Sequence, residues 1–372
     1  MKLAIISHTP HYNKDGKIVG WGPTVREINH LSKIFDRIYH IAPMHNEQAP
    51  GSSMRYDEDK VQYIPIKQYG GEKFSEKFSI LTTSFHNLKI IREVLKKVEW
   101  AQFRAPTSMG LYVLPYLSLM SKPKRWVKYA GNWGQKNPPL SYRIQRWWLK
   151  NNFQRSKVTV NGKWKDEPKN ILDFRNPCLD NEELSRAKII SSNKNFDDKK
   201  ILCFSGSLSK NKGVKLIIEA LELMRFKDKI EEFIFTGGGH DKEMFEIAAS
   251  KLKIKTTFTG FISRKELEKI YERSHIIVLP SESEGFPKVI SEAAAYGCVP
   301  IISDVSAVKE YFNDSNGFLL KSLNAEHLAD AIDLALSNVE LIKLKSRQCT
   351  ELAPLFTYED YMKNLKDKIL NN

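Results

Sequence analysis

Residues 281–297 read Ser281-Glu-Ser-Glu-Gly-Phe-Pro-Lys-Val-Ile-Ser-Glu-Ala-Ala-Ala-Tyr-Gly297. Glu284 and Glu292 stand eight positions apart, with Gly285, Phe286, Pro287 and Lys288 forming a turn that reads as the start of a helix. Just before it, His275-Ile-Ile-Val-Leu-Pro280 is a short apolar run of the kind that forms a buried parallel strand. The order is strand, tight turn, helix, with one carboxylate at the turn and another two turns down the helix. Backbone N–H groups at a helix start bind phosphate oxygens, and a carboxylate beside them can accept hydrogen bonds from sugar hydroxyls. This combination suits a sugar joined to a diphosphate.

The spacing resembles the Glu-x7-Glu signature of glycosyltransferase family 4, the retaining enzymes of the GT-B fold. The resemblance implies that Glu284 faces the donor sugar and Glu292 the ribose of the nucleotide. It continues upstream. Lys200-Ile-Leu-Cys-Phe-Ser205 reads as a strand that runs into Gly206-Ser-Leu-Ser-Lys-Asn-Lys-Gly213 and an apolar-periodic helix. In the family this loop carries an Arg and a Lys that hold the donor diphosphate. Lys212 and Gly213 match, but Ser207 stands where the Arg is usual. Either Lys210 substitutes from another angle, or the site is weaker, or it takes another donor.

Three further matches follow in chain order. Phe233-Ile-Phe-Thr-Gly-Gly-Gly239 resembles the strand that ends in a Gly-rich turn, where Gly237 lets backbone approach the nucleotide. Phe258-Thr-Gly-Phe-Ile-Ser263 resembles the turn that reads the base, through Phe261 and Ile262. Asn316-Gly-Phe-Leu-Leu320 resembles the closing strand. The family's Gly-Gly near Val305-Ser306 is missing.

At 372 residues and 41% hydrophobic content the chain has room for two domains with real cores. Cys178, Cys203, Cys298 and Cys349 form no C-x-x-C pair and no zinc pattern, and the apolar contexts of Cys203 and Cys298 predict buried free thiols, as fits a reducing cytosol. No metal site and no cofactor is expected beyond a nucleotide-diphosphate sugar, UDP- or GDP-linked, as co-substrate. Asp57-Glu58-Asp59 fits a metal-holding Asp-x-Asp pattern but reads as an exposed loop. Met1-Lys-Leu-Ala-Ile-Ile-Ser7 is too short for a signal peptide, and no run is long enough to span a bilayer.

The net charge of +14 is placed unevenly. Residues 1–178 carry 30 Lys and Arg against 14 Asp and Glu, so the whole excess lies in this half. Between Ala101 and Lys165 there are 13 basic residues, no acidic one, and Trp126, Trp133, Trp147, Trp148 and Trp164. Such a segment suits an anionic membrane surface, or else a solvated basic face over core tryptophans. Nucleic acid is disfavoured, since no binding module is recognisable.

The first half reads as alternating strands and helices, with strands at 3–6, 38–42, 61–66, 126–130 and 158–160. Gly20-Trp-Gly-Pro-Thr24 precedes a helical pattern. The resemblance implies a loop there that approaches the donor phosphates through Gly20 and Gly22. Residues 180–198 read as a polar connector. The expected architecture is α/β: two Rossmann-like doubly wound domains facing a cleft, 1–178 for the acceptor and 179–355 for the nucleotide sugar, with a C-terminal helix at 356–372 returning to the first domain.

The acceptor side carries weaker signals. Asn132 and Trp133 stand where many family members place a His or Asp facing the reacting carbon, and Asn cannot serve as a base. Arg104 suits an acidic acceptor or a phosphate, or else a structural role, and His8 follows the first strand. The resemblance implies a metal-independent retaining transferase. It would move a sugar to a hydroxyl of a glycan or lipid-linked glycan in surface polysaccharide synthesis. An epimerase or phosphorylase on the same fold, and a non-catalytic donor-binding partner protein, fit the same residues.

Overall fold

The structure, a computed structural model, describes residues 1–56, 59–69 and 74–371. Asp57 and Glu58 of the Asp-x-Asp pattern lie outside the described residues. The chain divides into two compact units, one from Met1 to Arg175 together with residues 362 onward, the other from Asn176 to Tyr361. The expected boundary at 178 shifts because Cys178 and Leu179 bond to the backbone of Phe356 and Tyr358 inside the second unit.

In the first unit the strands are β1 (Lys2–Ile6), β2 (His11–Lys14), β3 (Lys17–Trp21), β4 (Arg37–Pro43), β5 (Ser53–Met54), β6 (Val61–Ile66), β7 (Trp100–Ala105), β8 (Lys124–Tyr129), β9 (Lys157–Val160) and β10 (Ile171–Asp173). Seven of them form a parallel sheet in the order β10-β9-β8-β7-β1-β4-β6, and β2-β3-β5 form a small antiparallel one. Helices α1 (Gly22–Leu31), α2 (Phe74–Leu95), α3 (Gly110–Met120) and α4 (Leu140–Lys150) make the crossovers. The expected glycine loop at 20–24 is regular structure instead. Gly20 sits in β3, where a Cβ would meet the His11 ring at 2.7 Å, and Gly22 opens α1.

The second unit holds α5 (Asn181–Ser192), β11 (Lys200–Ser205), α6 (Val214–Leu223), β12 (Ile230–Thr236), α7 (Lys242–Ala249), β13 (Thr256–Gly260), α8 (Arg264–Arg273), β14 (Ile276–Leu279), α9 (Lys288–Ala295), β15 (Val299–Ser303), α10 (Val308–Tyr311), β16 (Phe318–Leu320), α11 (Ala325–Ser337) and α12 (Val339–Thr350). Helix α13 (Tyr358–Leu365) begins here and ends in the first unit. The sheet is parallel throughout, in the order β13-β12-β11-β14-β15-β16. Its central strands are mostly apolar because helices cover both faces, while the edge strand β13 is Thr-rich and only half-buried. The polar connector at 180–198 is a helix over most of its length. Asp180 and Glu183 form a capping box, and Leu184 and Ala187 carry the buried side. All four cysteines are buried free thiols.

Each large sheet reverses its strand order once, between β1 and β7 in the first and between β11 and β14 in the second. Adjacent loops there leave in opposite directions, and a crevice opens at the carboxyl ends of the two strands. Doubly wound proteins bind ligands in that crevice.

Candidate donor and acceptor sites

At the reversal point of the second sheet, the loop after β11 and the loop after β14 meet. Glu282 donates its backbone N–H to the Asn211 carbonyl at 2.9 Å. This docking brings Lys212 Nζ to 2.5 Å from Glu284 Oε1, and Ser281 Oγ donates to the same oxygen at 2.8 Å. The two residues are 72 positions apart in sequence. Gly213 holds a left-handed backbone, with φ at 78°, and a Cβ there would lie 2.4 Å from the Pro280 carbonyl oxygen. Only glycine satisfies both the dihedral and the approach. Gly237 repeats the requirement, with φ at 126° and a Cβ position 1.9 Å from the Gly206 carbonyl oxygen. Its N–H donates to the Gly260 carbonyl at 2.9 Å. The carboxyl ends of β11, β12, β13 and β14 thus converge on one floor.

Ser207 and Lys210 are exposed on this loop, with Lys210 opening a single 3-10 turn that ends at Lys212. Phe261 is exposed and Ile262 half-buried after β13. Helix α9 begins at Lys288 with Pro287 as its N-cap, two residues later than the Gly285-Phe286 start expected. The delay has a physical cause. Phe286 is buried, its ring stacked on Phe356 and edge-on to Tyr311, so it anchors the turn in the core. Its side chain is therefore not in the site. The Gly285 carbonyl accepts from Ser306 Oγ at 2.8 Å, which uses the residue where the family's glycine pair is missing.

Glu292 is nearly buried, and the structure gives it a partner the sequence did not suggest. Arg264, the first residue of α8, donates to Glu292 Oε1 at 2.6 Å. The same guanidinium reaches Glu268 at 3.1 Å, Glu183 at 3.4 Å and the Cys178 carbonyl at 3.3 Å. Burial opposes its charge, yet Glu292 and then Glu183 hold its pKa well above the usual arginine value. No motif marks Arg264, and only the fold brings α5, α8 and α9 together around it. A larger recess of about 460 Å³, lined by Lys194, Glu231, Arg273 and His275 among others, opens at the opposite, amino edge of this sheet, away from these loops. Among the described residues no group of three His, Cys, Asp or Glu side chains is placed to hold a metal ion.

At the reversal point of the first sheet lies a pocket of about 250 Å³. His8, Pro43, His45, Tyr69, Thr107 and Tyr142 are among the residues that line it. Arg104 is buried beneath α1, where Arg104 Nη1 and Lys128 Nζ both reach Glu27 Oε1, at 3.0 and 2.7 Å. Two buried cations share one carboxylate, so Arg104 is engaged in a buried ion pair. Glu27 was missed. Its signal was a charged residue at an inward position of α1, between Thr24 and Leu31. Alongside it, His11 and His40 both contact the Tyr56 hydroxyl, and His40 also meets Ser7 Oγ at 2.7 Å. Burial lowers the His11 pKa to about 4 and holds the His40 value well below the ordinary histidine range. Trp133 is 2% exposed. It is buried edge-on against Tyr129, and its indole N–H donates to Glu167 at 3.0 Å. Asn132 is half-buried beside it.

Residues 185–350 match the family described as glycosyl transferases group 1. An uncharacterized glycosyltransferase of Methanocaldococcus jannaschii is 30% identical over 147 residues, covering 38% of this chain and 37% of that protein. The N,N'-diacetylbacillosaminyl-diphospho-undecaprenol alpha-1,3-N-acetylgalactosaminyltransferase of Campylobacter jejuni is 26% identical, over 51% of this chain and 50% of its own length. The chain thus matches these curated relatives over half of their length or less. The Anabaena protein HepE, solved in complex with UDP and glucose, superposes over all of both chains with a TM-score of 0.73 at 13% identity, which speaks to fold alone. The match to glycosyl transferases group 1 thus lies within the second unit, and the fold of the chain is GT-B.

Proposed function

We propose that the protein transfers a sugar from a nucleotide-diphosphate donor to a hydroxyl of a glycan or lipid-linked glycan, with retention and without a metal. The observation that carries this reading is the Lys212–Glu284 contact at the reversal point of the second sheet. It sets a cation and a carboxylate side by side, over a floor of backbone that only glycines permit. A diphosphate entering there would draw Lys212 from Glu284. The lysine would then stabilise charge growing on the leaving group, where a preorganised donor has most effect. Glu284, still held by Ser281, would be left to accept from sugar hydroxyls. The N-terminus of α9 adds backbone N–H groups with partial positive charge. Glu292, held in place by Arg264, is assigned to the ribose. UDP is the preferred nucleotide of the donor, since the HepE neighbour was solved in complex with UDP. The pocket beside His8 in the first unit is assigned to the acceptor. The Campylobacter relative, named for a lipid-linked acceptor, and the basic segment 101–165 support work at the cytoplasmic face of an anionic membrane.

The test is a panel of sugar nucleotides screened for thermal stabilisation, then for turnover. A donor present at 100 times its Kd adds about 2.7 kcal/mol of stability. Transfer that persists in EDTA and depends on Lys212 is the expected result. Stabilisation without turnover on any acceptor would favour the non-catalytic donor-binding reading, which the exposed Ser207 in place of an arginine keeps in view. Conversion of the free donor would favour an epimerase.

A further inference from the structure

Helix α4 turns an apolar face outward. Leu140, Ile144 and Trp147 occupy positions i, i+4 and i+7, which share one side of a helix, and they are 61%, 42% and 56% exposed. The opposite side is fixed to the first unit. Leu149 and Gln145 are buried, and the Gln145 amide donates to the Thr107 carbonyl at 2.9 Å. In the turn after the helix Phe153 is 43% exposed, edge-on to Trp147 and Trp148 at 5.1 and 5.3 Å. Single exposed apolar residues are ordinary on soluble proteins; a stripe of three continued by an aromatic cluster is not.

The surroundings are basic. Lys136, Arg143 and Arg155 are exposed, Lys150 is shared with Glu167 at 2.6 Å, and no acidic residue occurs from 101 to 165. Of the five tryptophans in this segment, Trp126 and Trp133 are core, Trp148 and Trp164 half-buried, and Trp147 alone is exposed. The one outward-facing tryptophan of the segment is therefore on this helix, and Leu119 and Met120 at the end of α3 are exposed as well.

We infer that α4 and the turn through Phe153 form an interfacial helix lying in the headgroup layer of an anionic bilayer. Leu140, Ile144, Trp147 and Phe153 enter the acyl boundary, and Lys136, Arg143 and Arg155 meet lipid phosphates. Eleven residues are about 16 Å of helix, enough to lie on a membrane and too short to cross one. Among the described residues no helix is long and apolar enough to cross. A second copy of this chain is the poorer occupant. Two such faces would bring like charges together with no acidic residue of the segment between them. This deepens the membrane-facing part of the proposed function, on which it rests, and it stands or falls without the sugar-transfer chemistry.

The test uses the full chain with vesicles of phosphatidylcholine alone or mixed equally with phosphatidylglycerol. Binding to the anionic vesicles, release by high salt and quenching of Trp147 by brominated lipid are expected. Ile144→Ser with Trp147→Ser should weaken binding at least about 10-fold. Replacing Lys136, Arg143 and Arg155 by Gln should weaken it roughly 100-fold, the equivalent of about 1 kcal/mol per charge. Both sets are surface changes, and an unaltered melting temperature confirms folding. Equal binding to neutral vesicles, or anionic binding untouched by the apolar pair, overturns the inference. So does a dimer in ultracentrifugation that the apolar pair abolishes, since the patch then belongs to a second copy. Vesicle binding measured this way needs no donor, so its failure leaves the transferase reading untouched, and the reverse holds too.

Discussion

A double-mutant cycle on Lys212 and Glu284 separates a structural ion pair from a working site. Lys212→Met leaves the Glu284 carboxylate with the Ser281 hydroxyl as its side-chain donor and with little water, since its side chain is only 10% exposed. An unsatisfied buried acceptor costs about 1–3 kcal/mol. Lys212 is itself 29% exposed, so solvent already screens part of the pair and the lower half of that range applies. Glu284→Gln removes the stranded charge, so the double variant should recover part of the loss, with a coupling of at least about 0.5 kcal/mol. Urea melts read these values. Turnover should follow a different pattern. Loss of a preorganised donor costs about 3–4 kcal/mol in the transition state, so Lys212→Met should cut transfer roughly 100-fold or more at saturating donor. Glu284→Gln should cut it about 10-fold to 100-fold through one lost charged hydrogen bond. The double variant should be no better than the worse single one. If it instead regains turnover along with stability, the pair is scaffolding and the donor site lies elsewhere.

Other perturbations test the surrounding shell. Glu292→Gln should weaken nucleotide binding and also lower the stability of the second unit by about 1–3 kcal/mol, because Arg264 loses its nearest partner but keeps Glu268 and Glu183. Unchanged donor Kd in a folded variant would remove Glu292 from the site. Gly237→Ala forces a Cβ against the Gly206 carbonyl at a left-handed φ and should cost at least about 2–3 kcal/mol, read as a lowered urea midpoint. His11 and His275 both titrate near 4 when folded, chiefly through burial, against about 6.5 unfolded. The unfolded chain takes the protons first, so stability is full above about pH 6.5 and lost as pH falls toward 4, by up to about 3 kcal/mol for each. A flat urea midpoint from neutral pH to the acid limb would contradict that burial.

Local pattern determined much of this protein. The runs at 200–205, 233–236 and 276–279 read as buried parallel strands, because they are mostly apolar and each runs into a turn and a helical period. Glu284, Lys212 and the glycines around them were legible for the same reason: a strand that ends in a turn needs specific backbone geometry, and that geometry selects residue types. The capping box at Asp180 and Glu183 was equally local and could have revealed α5 behind its polar composition. What tertiary structure decided was every relation between distant segments. Lys212 meets Glu284 across 72 residues, Arg264 gathers carboxylates from α5, α8 and α9, and Glu27 collects cations from two strands. Phe286 and Trp133, polar-site candidates by position, were claimed by the core, because large aromatic surface gains more from burial than a turn gains from displaying it. Charge along 101–165 was plain in the composition, but which tryptophan faces outward depends on the rotation of α4 about its own axis. Packing of Gln145 and Leu149 against the first unit sets that rotation.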